Sequence, residues 1–332
     1  MTGSNRPSED DLIARWFRPL ATDPAALGLT DDCAALPAPA GHDLVLKTDS
    51  IASGVHFFAD DPWDLVARKA LRVNLSDLAA KGARPIGYLL SLALPGDWRE
   101  EDLARFSAGL AEDQACFAVS LLGGDTIRSP AGLVVTITAI GAVPTGRMVR
   151  RAAASAGDRL YVSGTLGDAA LGLLARVEPA RAAGWRLGTD EAAHLAGRYL
   201  LPQPRVALAP ALAAHAGAAM DISDGLGIDL GRMCRGSGCD AEIDAARLPL
   251  SEAAKRALAA DSGLLSTIVG GGDDYEILAA VPPAAAGRFE DAAAAAGVLV
   301  TEIGVVRPGN GMAILLRAEG EAVPLTSGFR HF

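Results

Sequence analysis
The chain has 332 residues, half of them hydrophobic, enough to build two domains of ordinary size and too apolar for a disordered protein. Acids outnumber bases by 40 to 30, and the net charge of −10 argues against nucleic acid as a partner, because such a surface repels phosphate backbones. The four cysteines Cys33, Cys116, Cys234 and Cys239 contain no C-x-x-C, which argues against a disulfide scaffold or zinc ribbon.

The first residues, MTGSNRPSEDDLIARWF, are polar and acidic where a signal peptide would be basic and then apolar. No apolar run reaches about eighteen residues, so no membrane span is expected and the reading is a cytoplasmic protein. The β-branched run Asp43–Ser50 predicts a strand ending at Asp49. Pro62 and Trp63 open a helical pattern that Gly82 terminates. Pro85–Pro95 predicts a second strand, Glu100–Ala115 a second amphipathic helix, and Ala118–Leu122 and Leu133–Val143 two further strands. This order suits an α+β class with a ferredoxin-like N-terminal layer carrying helices on one face.

A boundary near the small, basic stretch Pro144–Gly157 divides the chain into domains 1–147 and 148–332. In the second, strands are expected at Arg159–Gly164, Ala219–Ile222, Ala241–Ile243, Glu276–Val281, Val298–Val306 and Met312–Leu316. Helices are expected at Gly167–Arg176, Asp190–Tyr199, Arg205–Ala214, Gly225–Cys234, Ser251–Ala260 and Pro283–Ala296. This second half is therefore a C-terminal α/β domain.

The acids recur at turn-like positions. Asp31 and Asp32 lie in GLTDDCAAL, Asp49 in KTDS, Asp125 in LLGGDT, Asp221 and Asp224 in MDISDGL, and Asp273, Asp274 and Glu276 in GGGDDYEIL. Taken singly, an Asp after Gly is ordinary turn chemistry, and Ser223 or Asp224 before a helix is an ordinary N-cap. Asp77, inside NLSDLAAKGA among Leu and Ala, is different: an unpaired carboxylate on an apolar stripe is costly, so it needs a lysine, a backbone donor or a cation. Several carboxylates with hydroxyls, and five histidines without zinc spacing, favour Mg²⁺ sharing its shell with phosphates. Phosphoryl transfer is then the leading chemistry. GHDLVLKT fails as a P-loop because Leu46 stands at the second glycine and the segment is strand-like. The turn SGTLG (Ser163–Gly167) opens a helix and either receives an anion or is a plain strand–helix turn. Of the basic group Arg147, Arg150 and Arg151, one could clamp a phosphate, and a solvated linker is the ordinary reading for the rest.

The ordered set DDCAAL, TDSIASGVHF, NLSDLAAKGA-P, GGDT, GDRLYVSGTLGDAALGL, DISDGLGIDL and GGDDYEIL resembles the thiamine-monophosphate kinase family. That family lies within the superfamily of aminoimidazole-ribonucleotide and selenophosphate synthetases. The resemblance spans Asp31 to the terminal GFRHF. It implies direct transfer of the ATP γ-phosphoryl group to thiamine phosphate, with several Mg²⁺ ions, no protein general base, and a homodimer built through the N-terminal sheets. By motif it implies Mg²⁺ held by Asp32, Thr48, Asp49, Asp77, Asp125, Asp221 and Asp224. It implies ATP met by Gly124, Asp125, Arg151 and Ser223, and thiamine phosphate by His56, Asp273 and Phe329, the last by stacking.

Three positions depart from the family pattern. Thr30 replaces a glycine before Asp31-Asp32, and would be strained if the turn needed φ > 0. Lys47 stands where a metal-touching serine is common, so its ammonium could replace one Mg²⁺ contact. Asp273 is one methylene shorter than the usual glutamate. Two alternatives stay open: a sister ATP-dependent synthetase, and a catalytically silent nucleotide-binding homologue.

Overall fold
The computed structural model describes residues 7–316 and 321–325. In chain order the elements are α1 (Glu9–Leu12), β1 (His42–Ala52), α2 (Trp63–Ala80), β2 (Arg84–Leu94), α3 (Glu100–Phe117), β3 (Ser120–Arg128) and β4 (Val134–Pro144). There follow β5 (Arg159–Ser163), α4 (Asp168–Val177), α5 (Pro179–Ala183), α6 (Thr189–Leu200), α7 (Ala209–His215), β6 (Ala218–Asp221), α8 (Leu226–Ser237) and β7 (Cys239–Asp244). The last are α9 (Glu252–Ala260), α10 (Leu264–Gly270), β8 (Ile277–Val281), α11 (Ala286–Ala295), β9 (Val300–Pro308), β10 (Ala313–Leu316) and β11 (Ala322–Pro324). The chain divides into two compact units, one running to Leu78 and resuming over Pro85–Pro144, the other taking Ala79–Arg84 and everything from Thr145.

The first unit is a four-stranded sheet in the order β1-β4-β2-β3. β1 and β4 pair antiparallel, with Asp49 opposite Ile137, while β2 and β3 run parallel. A parallel pair needs a long crossover, and α3 supplies it. The α+β class and the order of elements are as expected, but the strand pairing is not that of a ferredoxin-like layer, because α3 joins two parallel neighbours. Alternation sets the faces: Val45, Ile51, Leu90, Leu92, Val135, Ile137 and Ala139 are buried on one side. α2 and α3 are tied to that side, Gln114 Nε2 donating to Tyr88 Oη at 3.1 Å and the Asp49 amide donating to Asn74 Oδ1 at 2.9 Å. The two helices lock together through Trp63 and Phe106, edge to face at 6.4 Å, and through buried Asp113. Its carboxylate takes the Arg72 fork at 2.7 and 2.8 Å and Arg68 Nε at 3.0 Å.

Two expectations about strand ends are corrected. β1 continues past Asp49 to Ala52, and β3 runs straight through Gly123-Gly124-Asp125 to Arg128, so both aspartates lie within strands. The glycines permit this: Gly124 pairs with Leu90, and a Cβ there would lie 1.8 Å from the Leu90 carbonyl oxygen.

The second unit carries a seven-stranded sheet, β11-β10-β7-β9-β5-β8-β6. Both faces are buried, which is why β8 (ILAAV) reads as a continuous apolar run rather than an alternating one. Leu226, Leu230 and Met233 of α8 pack on the side of Leu160, Val162 and Leu278. Leu208, Leu212 and Phe289 pack on the side of Tyr161, Ala219 and Ala279, with Tyr161 and Phe289 edge to face at 5.4 Å. The helix α10 was not expected, since LLSTIVG is too short to show a helical period.

Candidate functional site
In the first unit, β1 turns Val45, Lys47, Asp49 and Ile51 toward the helices, so a lysine and an aspartate interrupt an apolar face. Asp77 reaches them from α2. Lys47 Nζ lies 3.1 Å from Asp49 Oδ1 and 2.9 Å from Asp77 Oδ2, and Asn74 fixes the Asp49 backbone. Burial works against the Lys47 ammonium, but the charges of Asp77 and then Asp49 outweigh it and hold its pKa above the ordinary lysine value. Burial pushes the Asp49 carboxyl up, Lys47 pulls it down, and the charge of Asp77 raises it again.

His56 sits in the turn after β1. Its Nδ1 accepts the Ala52 amide at 3.1 Å, which leaves the proton of a neutral ring on Nε2, and its carbonyl accepts from buried Lys69 at 3.0 Å. The remaining first-unit candidates are placed apart from the Asp49–Asp77 pair. The Thr48 side chain points to the opposite face, where its Oγ1 donates to the Ile137 carbonyl at 3.2 Å and accepts from Thr138 at 3.1 Å. Asp125, exposed beside Ser91, shares that outer face at the far edge of the sheet, three strand positions or about 14 Å from β1. Asp32 is exposed in the bend that follows Thr30. Thr30 itself has φ −109°, so the expected strain is absent; the positive φ values fall on Leu27, Gly28 and Leu29 instead, and Thr30 Oγ1 donates to the Leu27 carbonyl at 2.7 Å.

In the second unit, the loop 222–225 lies against the loop 270–275. The amides of Asp273 and Tyr275 donate to the carbonyls of Ser223 (2.9 Å) and Ile222 (2.8 Å). A Cβ on Gly272 would lie 2.4 Å from the Ser223 carbonyl oxygen. Asp273 is held at φ 69°, a conformation Asp tolerates better than most residues. Asp221 ends β6, buried. Neither Ser223 nor Asp224 caps α8: the N-cap position is Gly225, and Asp229 reaches back from the first turn to accept the amides of Ser223 at 3.0 Å and Asp224 at 2.9 Å. Burial pushes the Asp229 carboxyl up to about 6, with the Asp224 amide and Arg232 opposing. Arg232 pairs with both Asp224 and Asp229. Arg151 is exposed, Arg147 donates to the Ala213 carbonyl at 2.9 Å, and Phe329 lies outside the described residues.

The glycine turn Ser163–Gly167 is already occupied from within the chain, by a carboxyl group. Asp274, buried, takes the Gly167 amide at 2.8 and 3.0 Å, and burial pushes its carboxyl well above the usual range. Buried Glu276 takes Arg205 through a fork at 2.5 and 2.6 Å, Arg198 at 2.9 Å and Ser163 Oγ at 2.6 Å. These two acids of GGGDDYEIL are therefore framework, which leaves Asp273 as the member on the loop.

The candidate ligands are hard oxygen donors, which fit Mg²⁺ in kind. Among the described residues no three His, Cys, Asp or Glu side chains close around one point.

Residues 30–143 match the AIR synthase related protein N-terminal domain, and residues 155–317 the C-terminal domain of the same family. The thiamine-monophosphate kinase of Caulobacter vibrioides is 46% identical over 330 residues, 98% of this chain and 91% of that protein. The chain belongs to the thiamine-monophosphate kinase family. The crystal structure of the Stenotrophomonas maltophilia thiamine-monophosphate kinase superposes with a TM-score of 0.81 at 36% identity, covering 95% of this chain and 96% of that one. AaThiL complexed with AMPPCP and TMP superposes with a TM-score of 0.76 at 30% identity, over 91% of each chain.

Within this family the motif residues were visible in the sequence, and their supports were not. Asn74, Lys69, Asp229 and Arg232 each position a motif residue, and Asp229 and Arg232 do not stand out by type or spacing. Asn74 and Lys69 carried one clue, being polar residues one helical turn or two from Asp77 on a helix that is otherwise deeply buried.

Proposed function
We propose that the protein transfers the γ-phosphoryl group of ATP to thiamine phosphate, giving thiamine diphosphate. The observation that carries this reading is the match to a thiamine-monophosphate kinase along 98% of the chain; a related structure complexed with AMPPCP and TMP supports it. The attacking group is a phosphate oxygen that is already anionic, so no side chain need remove a proton. The difficulty is repulsion between two polyanions, which fixed cations and alignment offset. Mg²⁺ held by Asp32, Thr48, Asp49, Asp77, Asp125, Asp221 and Asp224 would supply that neutralisation when bound, Thr48 through its main chain if it acts beside Asp49. Arg151 and the backbone at Gly124 and Ser223 would meet the nucleotide. His56, Asp273 and Phe329 would contact thiamine phosphate, Phe329 by stacking on a ring.

The same reading makes the protein a cytoplasmic homodimer joined through the outer face of the first-unit sheet. No helix among the described residues is long and apolar enough to cross a membrane. Leu46 (66% exposed) and Ile127 (56%) lie on the outer sheet face, the face that also carries Thr48 and Asp125. A second copy laid on it could bring Asp125 of one chain to β1 of the other, which the strand order within one chain prevents.

Incubation with ATP, Mg²⁺ and thiamine phosphate tests the activity. Thiamine diphosphate is the expected product. Its absence in a protein that binds ATP would favour the silent homologue, and release of product only with a carbonyl or selenide acceptor would favour a sister synthetase.

A further inference from the structure
A lysine on the covered face of a strand, between valine and isoleucine, is an expensive choice unless its charge is used. Lys47 is placed there beside two carboxylates, 3.1 Å from Asp49 and 2.9 Å from Asp77, with its side chain only 32% exposed. Neither carboxylate arrives by accident. Asp49 is fixed through its amide to Asn74, and Asp77 comes from the same helix one turn further on. Two carboxylates brought together in this way repel unless a cation stands between them.

We infer that Lys47 is a built-in cation occupying the position between Asp49 and Asp77, so that this chain binds one divalent ion fewer there than it would with a small neutral residue at 47. The inference rests on the Mg²⁺-dependent kinase reading above and deepens it. A tethered ammonium brings one positive charge where a divalent ion would bring two. It has no open coordination position, and it does not dissociate when free metal falls. Asp49 and Asp77 are thereby kept in place without metal, each meeting Lys47 through one oxygen, and the ions still needed for the phosphates would be shared between their other oxygens, the remaining carboxylates and the nucleotide itself.

The test counts Mn²⁺ bound tightly to the full-length protein in the presence of AMPPCP, by electron paramagnetic resonance of the free ion, for wild type, Lys47→Ser, Lys47→Ala and Lys47→Arg. Far-UV circular dichroism first establishes which variants are folded, and the alanine variant serves if the serine variant is unstable. The expected result is one additional Mn²⁺ in Lys47→Ser or Lys47→Ala, lost again when Asp77→Asn is added, and the wild-type number in Lys47→Arg. Equal numbers in wild type and in the folded serine or alanine variant would overturn the inference, since the ammonium would then be swinging aside to admit the ion. The count is independent of turnover. Thiamine diphosphate formation with an unchanged count sinks this inference and leaves the kinase reading standing; a gained ion in a protein that makes no product does the reverse.

Discussion

Asp77 illustrates how far single residues could be read. A carboxylate among Leu75, Leu78 and Ala79 demands a counter-charge, and that demand is legible in the sequence. Its partner is not, because Lys47 lies thirty positions earlier and only the seating of α2 on β1 joins them. Both members remain partly exposed, at 32% and 22%, so the pair adds little to stability, roughly 1 kcal/mol or less. On the kinase reading proposed above, its importance is then in holding the cation that faces the phosphates. We expect Asp77→Asn to lower kinase turnover by about a hundredfold or more, the usual size for losing one preorganised charge-stabilising group, with a melting temperature close to wild type. Steady-state kinetics and a thermal melt on the same preparation decide it: near wild-type turnover would make Asp77 a structural residue.

At the level of elements, the motifs divide into parts that serve ligands and parts that let backbones meet. The family resemblance implies a nucleotide contact at Gly124, and Gly124 also allows β3 to pair with β2. A methyl group there would strike the Leu90 carbonyl oxygen, so Gly124→Ala is expected to destabilise by about 1–3 kcal/mol, the usual range for overpacking, measured by urea denaturation. A raised KM for ATP without any loss of stability would instead make the nucleotide role the dominant one. The sequence signal, Gly-Gly-Asp after an apolar run, fits a turn as well as a bulged strand, and only the pairing with β2 chooses between them. The same ambiguity affected Ser163–Gly167, whose amide is taken by Asp274 from a loop about a hundred residues later. Because burial raises the Asp274 carboxyl well above its usual 3.8, the folded chain keeps a proton that the unfolded chain has released. Stability from this group is complete below the unfolded value and falls as pH rises toward the folded one. Asp274→Asn, which has no proton to release, should flatten that part of the melting-temperature profile above pH 4 relative to wild type. Parallel profiles for the two proteins would show that Asp274 is ionised throughout.

For the whole molecule, the order of seven motifs along the chain carried the family, while most individual motifs were weak. Order survives because each motif ends up on a particular strand or loop, whereas sheet pairing and side-chain supports depend on contacts that no local pattern encodes. The α+β class and the sequence of strands and helices in the first unit were therefore readable, and the parallel β2–β3 pair was not. That pairing has a consequence for assembly. It puts β1 and β3 at opposite edges, with Asp49 on the helix side and Asp125 on the outer side, the face that also carries Leu46, Leu89 and Ile127. An exposed apolar face carrying one of the motif aspartates is what a self-complementary two-fold interface requires. In sedimentation velocity the wild type should run as a dimer of 34.0 kDa chains. Leu46→Glu, which places a charge at the most exposed leucine of β1 without touching the buried face, should run as a monomer and lose most of its kinase activity while keeping its circular dichroism spectrum. A monomeric but fully active wild type would mean that a single chain completes the reaction, and Asp125 would then have to act apart from Asp49.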